Sequence, residues 1–448
     1  MKKLFYLLCI VSILGIHKTS AQFSIRVVKD SVFIPWEIIY GPDGNIWFDQ
    51  KNGYVCKMDP ATGVTDTIYH EVNNVIHNEG GMVGMALHPS FPDSPYIYVS
   101  YEYLPDASHY FERVVRYTYN GSTLVNQIVL VDSITGANYH NGCRLLIVGD
   151  KLFITTGDAT VGSNAQDVQS KNGKILRIDL DGSIPADNPI ANSPVWCWGQ
   201  RNSQGLVYAH NILYNSMHGN NTDDEINIIQ KGKNYGWPTV EGYCDQPAEM
   251  TFCADSNVVE PIFAWTPTVA TCGLDYYNHP MFPAWQNSLM LCTLKDTTLH
   301  QLKLNATYDS VLTDTRILLH YGRLRDICIS PEGRIYLSTS NSNAGGTGPF
   351  IDKIIELYDS TFVHVPVLGS AGALKLYPNP AKEQVTVKLD GVTSGSYVII
   401  NTLGQVMLNG RLNGSTNNIS IAAIPHGIYT ITVSNDKGQI FTGKILKQ

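Results

Sequence analysis

An all-β fold, a six-bladed β-propeller followed by a small C-terminal β-sandwich, is predicted by three observations. Only 16 % of the 448 residues are charged, while Gly, Tyr, Asn and Thr are abundant, a composition that suits short strands joined by tight turns rather than helices. Residues 23 to 358 repeat one pattern: a turn carrying Gly with Asp or Glu, a short alternating strand ending in small polar residues, then a second strand. After Tyr358 the pattern gives way to weakly structured residues and then to a second, shorter series of strands.

Taken in chain order, Met1 to Ala21 (1–21) reads as a secretory signal peptide. Lys2 and Lys3 supply its positive start, LFYLLCIVSILGI its apolar core and Thr19-Ser20-Ala21 its cleavage site. The apolar run is about 13 residues, short of the roughly 20 that span a bilayer, so no transmembrane segment is expected in the mature chain from Gln22. Cys9 follows Leu8, too large for a usual lipoprotein cleavage site. Export of this kind passes through the periplasm to a secreted or surface-attached state. Eight of the nine cysteines then remain in an oxidising compartment, where disulfides are plausible, with Cys244 and Cys253 the best loop-closing pair. No CxxC spacing supports zinc or an iron–sulfur cluster.

The propeller is expected over 22–358. GPDGNIWFDQKNGYVCKMD from Gly41, VGDKLFITTGD from Val148 with GKILRIDLDG from Gly173, and SPEGRIYLSTSN from Ser330 with DKIIELY from Asp352 each read as a turn launching a hairpin. Four-stranded sheets recurring every 40 to 60 residues or so are how a propeller looks in sequence, and roughly 335 residues fit six blades with long loops. The alternative, a single β-sandwich, would be unusually large. Residues 359–373 read as a linker, and 374–448 as a separate sandwich of short strands. The net charge of −8 argues against nucleic acid as a partner, because phosphate binding needs a basic face.

Six propeller segments, the last two in one region, carry more polar and cationic residues than strand ends require. They hold Glu79 in NEGGMVGMALHP, His140 in NYHNGCRL, and Arg201, Asn202 and Gln204 in WGQRNSQGL. HGNNTDDEINIIQKGKNYGWP holds an acidic run near Gly219; LCTLKDT holds Lys295, and YGRLRD holds Arg323 and Arg325. Each has an ordinary structural reading: a solvated histidine, a blade-to-blade ion pair, a solvated acidic turn. Arg323 and Arg325 point to one side of a strand because of the pleat, and the same pleat makes them a two-pronged clamp for a carboxylate ligand.

Together these segments resemble the quinoprotein family of soluble glucose and sorbosone dehydrogenases. The likeness runs from about residue 30 to 358. It is carried by EGGMVGMALHPSF, HNGCRL followed by TTGD, GKILRIDLDGSIPADNP, GQRNSQGL, DDEINIIQKGKNYGWP, WTPTVA and GRLRD, in the family's order. The resemblance implies a six-bladed propeller binding pyrroloquinoline quinone (PQQ) and Ca²⁺. The implied reaction oxidises an aldose or related sugar aldehyde at C1 by base-assisted hydride transfer to the quinone, with an external electron acceptor. His140 matches the general base and Arg201 the cation at the quinone oxygen where negative charge develops. Asn202, Gln204 and Thr268 match cofactor-contacting residues; Lys295, Arg323 and Arg325 match cations on the cofactor's carboxylates; Glu79 matches a contact to cofactor or sugar. Backbone carbonyls of Gly219 and Asn220 match the calcium ligands at the quinone, and Glu225 and Tyr235 a second, structural calcium site.

Two departures accompany the likeness. Tyr139 stands where one branch has an aspartate, so the carboxylate expected to orient His140 is missing or comes from elsewhere. Cys143 stands where glycine is usual, implying a disulfide or a tighter cavity. The alternative from another class is a non-catalytic sugar- or protein-binding propeller; a propeller hydrolase would need a ring of metal-binding carboxylates that is not evident. The tail, through Tyr377-Pro378-Asn379-Pro380, NTLGQVM, Gly427-Ile428-Tyr429 and GKILKQ, resembles the sorting domain of the type IX secretion pathway. A partnership with that machinery is thereby implied; a carbohydrate-binding module would need clustered exposed aromatics that the tail lacks.

Overall fold

The computed structural model describes residues 23–362 and 374–448, apart from 107, 320, 343–344, 346–348, 390–393 and 436–439. The expected signal peptide and most of the expected linker lie outside the described residues. The chain divides into two compact units, 1–360 and 361–448.

The first unit is six antiparallel four-stranded sheets. Their first strands are Pro35–Tyr40, Met82–Leu87, Gly142–Val148, Ser203–Ala209, Thr271–Tyr277 and Leu324–Ile329. Each of these strands packs against the first strand of the blades before and after it, closing a ring. The burial gradient follows from that ring. Met82–Leu87 and Ser288–Thr293 lie between neighbouring blades and are buried on both faces, so they read as nearly continuous apolar or small residues. The outermost strand Val311–Leu319 faces water on one side and shows mixed burial.

Two local features shape the centre. Every blade has a register shift between its first two strands, at Pro35/Ile38, Met82/Gly84, Gly142/Leu145, Ser203/Gly205, Thr271/Leu274 and Leu324/Asp326. A bulge there adds twist and re-aims the side chains at the strand's start. Glycines let adjacent inner strands touch: a Cβ on Gly84 would lie 2.0 Å from the Cys143 carbonyl oxygen, and one on Gly205 2.4 Å from that of Cys272.

The ring is shut by the chain's own start. Ser24–Val32 pairs with Asp352–Tyr358 as the fourth strand of the last blade, and Arg26 Nε meets Glu356 Oε2 at 2.7 Å. Buried Asp352 completes the latch, accepting from the Ile34 N–H (3.1 Å), the Thr339 hydroxyl (2.9 Å), and the N–H groups of Asn341 and Ser342.

The second unit stacks a three-stranded sheet, Leu374–Tyr377, Gln384–Leu389 and Thr416–Ser420, with a four-stranded one. Val385, Val387, Ile399, Ile419, Ile431 and Ile445 fill the space between them. GKILKQ, which in sequence reads only as a lysine-containing end, belongs to the edge strand Ile440–Lys447.

Cys244 and Cys253 form a disulfide that closes the loop carrying helix Pro247–Ser256. The other cysteines of residues 23–448 are free and buried. Cys143 therefore forms no disulfide; its thiol lies against the Glu112 carboxyl. Among the described residues no helix is long and apolar enough to cross a membrane.

Asp49 joins the first two blades, its carboxyl accepting from the N–H groups of Glu37 (2.8 Å) and Gly84 (3.1 Å). Complete burial outweighs those bonds and pushes its pKa from 3.8 up to about 7. A raised folded-state pKa means the folded protein holds the proton more tightly, so this contribution to stability is full below about pH 4 and is lost as pH rises through about 7. Asp49→Asn is expected to flatten the fall in the propeller's thermal midpoint across that window, measured by calorimetry from about pH 4 to 8.

Candidate active site

Where the inner strands begin, a cavity of about 630 Å³ opens on the axis. It is lined by residues that sit just before the first strand of all six blades: Ile34, Glu79, His140, Asn202, Ala270 and Arg323. Further lining comes from the ends of second strands: Lys51, His218, Lys295 and Ser340. The bulged strand starts thus deliver side chains from six separate sequence segments to one place.

His140 is the group best held for proton transfer. Its Nδ1 lies 2.8 Å from Asp158 Oδ1. A carboxylate accepts, so Nδ1 carries the proton and the Nε2 lone pair is left for the cavity. Asp158 is itself fixed, accepting from Thr160 N–H (2.8 Å) and from Trp237 Nε1–H (2.8 Å). The expected lack of an orienting carboxylate is therefore corrected: Asp158, the last residue of TTGD, supplies it, and Tyr139 stands 59 % exposed at the rim.

Besides Lys51, four cations reach the cavity, and among the described residues all their hydrogen-bond acceptors are neutral. Arg201 donates to the His218 carbonyl (3.4 Å) and to Asn220 Oδ1 (3.3 Å) and lies over the Trp237 ring. Lys295 Nζ donates to Thr268 Oγ1 (2.9 Å), Arg323 Nε to the Ser340 carbonyl (3.1 Å), and Arg325 Nη1 to Gln204 Oε1 (2.8 Å). Among the described residues none of the four has a carboxylate within 4.0 Å, unlike Arg144 beneath them, which pairs with Glu37 and Asp326. Arg201 Nε and Arg325 Nε are buried without a partner. Burial pushes the Arg201 and Arg323 guanidinium pKa values down, the Arg325 charge adding to the fall at Arg323, and burial pushes Lys51 down to about 8. A cluster of this kind is incomplete without a multiply charged anion.

Gln204 lies behind the wall, bridging Arg325 and Glu79. Glu79 accepts from the His140 N–H, from Asn202 Nδ2 (3.1 Å) and from Gln204 Nε2. Burial raises its pKa, but His218, the Asn202 bond, His140 and Arg325 outweigh that and hold it below the usual carboxylate value.

Gly219 and Asn220 line the cavity, and among the described residues neither carbonyl accepts a hydrogen bond. Asp224 fixes their turn, accepting from Gly219 N–H (2.8 Å) and from the N–H groups of Val269 and Ala270. Glu225 and Tyr235 lie outside the cavity lining and are held by separate bonds. Glu225 accepts from Asn227 Nδ2 and Gly242 N–H, and the Tyr235 hydroxyl joins Ile228 and Gln230. Burial lifts Glu225 to about 8. Among the described residues no three His, Cys, Asp or Glu side chains form a metal-holding group, so a cation at Gly219 would draw on backbone and ligand oxygens.

Sequence reasoning does not single out Asp158, Lys51 or His218. Asp158 sits in the TTGD motif; Lys51 and His218 carry no local signal, and only their position at the end of a second strand brings them in. His218 Nε2 is buried without a partner, and burial lowers the ring's pKa against the opposing charges of Asp224 and Glu79.

Known proteins share the sequence and fold of this chain. Residues 32–347 match the family model described as Glucose / Sorbosone dehydrogenase, and residues 375–448 match the Secretion system C-terminal sorting domain, a mark of exported or surface-held proteins. The aldose sugar dehydrogenase YliI of Escherichia coli is 30 % identical over 75 % of this chain and 95 % of its own. The quinoprotein glucose dehydrogenase B of Acinetobacter calcoaceticus is 29 % identical over 70 % of this chain and 85 % of its own. The PQQ-bound aldose sugar dehydrogenase of Streptomyces coelicolor superposes with a TM-score of 0.64 at 28 % identity, covering 76 % of this chain and 99 % of that one. The cationic, axial cavity with its carboxylate-held histidine is thus set in a six-bladed propeller of the glucose/sorbosone dehydrogenase family, to which this chain belongs.

Proposed function

We propose that this protein is an exported sugar dehydrogenase that uses PQQ and Ca²⁺ to oxidise an aldose or related sugar aldehyde at C1 to the lactone or acid, passing electrons to an external acceptor. The observation that carries the reading is that Arg201, Lys295, Arg323 and Arg325, four of the cavity's five cations, have neutral partners only and face a carboxylate-oriented imidazole. A propeller that only bound sugar would need neither in such company.

Lys295, Arg323 and Arg325 hold the cofactor's carboxylates, with Thr268, Asn202 and Gln204 fixing those cations or lining the site. Bound there, the quinone supplies a two-electron acceptor for the hydride of C1, chemistry no side chain offers. His140 Nε2 takes the proton of the anomeric hydroxyl, and Asp158 stabilises the imidazolium that results. Arg201 stabilises developing negative charge from a fixed position, at no cost of reorganisation. The free carbonyls of Gly219 and Asn220 are suited to Ca²⁺, a hard cation that takes oxygen ligands. A second, structural calcium at Glu225 and Tyr235 rests on the family resemblance alone, since the two residues are held by separate bonds.

Residues 1–21 act as signal peptide, 22–358 as catalytic propeller, 359–373 as linker and 374–448 as the domain read by the type IX secretion machinery. The secretion-tail match at 375–448 supports that last assignment.

Three outcomes test the reading. Apoprotein given PQQ and Ca²⁺ reduces an artificial dye in the presence of aldoses; no activity across a sugar panel, with no absorbance of bound quinone, would refute it. His140→Ala and Asp158→Asn each lower turnover by about 10²- to 10⁴-fold with quinone affinity retained, measured by stopped-flow and absorbance titration. Arg323→Ala instead weakens quinone binding by about ten- to a hundredfold, while the turnover of each loaded molecule falls far less.

A further inference from the structure

We propose that Glu79 is a positioning residue that fixes the main chain of His140, while Asp158 fixes its ring. The inference rests on the reading of His140 as the base.

His140 has φ = +64°, in the left-handed region that a residue with a Cβ seldom adopts. That conformation is unfavourable for a side chain with a Cβ, so neighbouring groups must impose it. Two do so. On the carbonyl side, the His140 oxygen accepts from Ala159 N–H (3.2 Å) and abuts Gly157, where a Cβ would lie 1.8 Å away. On the amide side, the His140 N–H donates to Glu79 Oε2.

Glu79 comes from the connection between the first two blades, yet its carboxylate serves the third and fourth. Oε1 accepts from Asn202 Nδ2 (3.1 Å) and Gln204 Nε2. Because an ionised carboxylate only accepts, it also sets the Gln204 amide: Nε2 faces Glu79, which turns Oε1 to Arg325 Nη1 at 2.8 Å. Three N–H donors on its two oxygens tie Glu79 to the protein. A glutamine here turns its NH₂ toward at least one of those donors unless a neighbouring amide flips.

The test compares Glu79→Gln with the exchanged pair Glu79→Gln/Gln204→Glu. In the pair, the carboxylate introduced at position 204 accepts from the amide NH₂ introduced at position 79, and the oxygen of that amide is left for the His140 N–H. Calorimetric melting first establishes that each variant is folded. In the single variant, hydrogen exchange of the apoprotein peptide containing His140 speeds up about tenfold as its acceptor is lost. Turnover of the loaded enzyme falls about a hundredfold, the cost of a displaced reacting group, with quinone Kd and sugar KM held within about threefold. The exchanged pair recovers most of the exchange protection at His140, while its carboxylate at position 204, now against Arg325, weakens quinone binding. Unchanged exchange in Glu79→Gln overturns the proposal, as does a loss of quinone affinity with turnover per bound quinone intact, which would make Glu79 a cofactor contact. If the wild-type chain oxidises no sugar, the dehydrogenase reading falls, and the exchange arm, which needs no turnover, still decides whether Glu79 holds the His140 main chain.

Discussion

Uncompensated positive charge on the propeller axis is the constraint on which the rest of the structure depends. Arg201 and Arg325 are almost wholly buried, and together with Lys295 and Arg323 they converge on one cavity without a carboxylate partner among the described residues. Burying charge this way opposes folding, and the depressed pKa values of Arg201 and Arg323 express that opposition. The arrangement persists because each cation is anchored by a carbonyl, hydroxyl or amide oxygen. Those anchors supply geometry without cancelling charge.

The scaffold that tolerates such a centre is rigid for identifiable reasons. Inner strands packed on both faces hold Arg201 and Arg325 in place, while Lys295 and Arg323 stand exposed at the cavity mouth. Gly84 and Gly205 bring successive strands to backbone contact, and the strand Ser24–Val32 closes the ring so that repulsion at the axis cannot pry the first and last blades apart. Beneath the cavity, Arg144 stacks on Trp36 at 4.3 Å and pairs with Glu37 and Asp326, whereas Arg325 lies 5.5 Å from the same ring. One tryptophan thus separates a neutralised arginine in the channel from an unneutralised one in the site.

Much of this is legible in the sequence, and the limits have physical causes. Alternating strands between Gly-rich turns betray the blades, because each blade is local in sequence. The closing strand is not legible, since its partner lies more than three hundred residues away and nothing in SIRVVKDSV distinguishes an outer strand of the last blade from one of the first. The cations and His140 stand out because such residues are unusual at strand starts. Asp158 is hidden as an orienter because it lies 18 positions from His140, and only the hairpin between them brings the two together. Tyr139, the sequence neighbour, is the misleading candidate, because in a bulged strand start adjacent residues diverge: His140 turns inward and Tyr139 faces water.

A cationic cavity lined by Glu79 and backed by Asp158 raises the question of why these carboxylates do not simply neutralise it. Hydrogen bonding supplies the answer. Asp158 is bonded to an imidazole, a backbone N–H and an indole N–H, and Glu79 to a backbone N–H and two amides. Neutral donors or His140 take most of the acceptor capacity of each carboxylate, and among the described residues neither pairs with Arg201, Arg323 or Arg325 within 4.0 Å. The two carboxylates hold His140 from either side, by its ring and by its main chain, without pairing with the cations. Acid–base function and anion recognition, which would quench each other if their charges met, coexist in one small cavity because the donors around each carboxylate keep them apart.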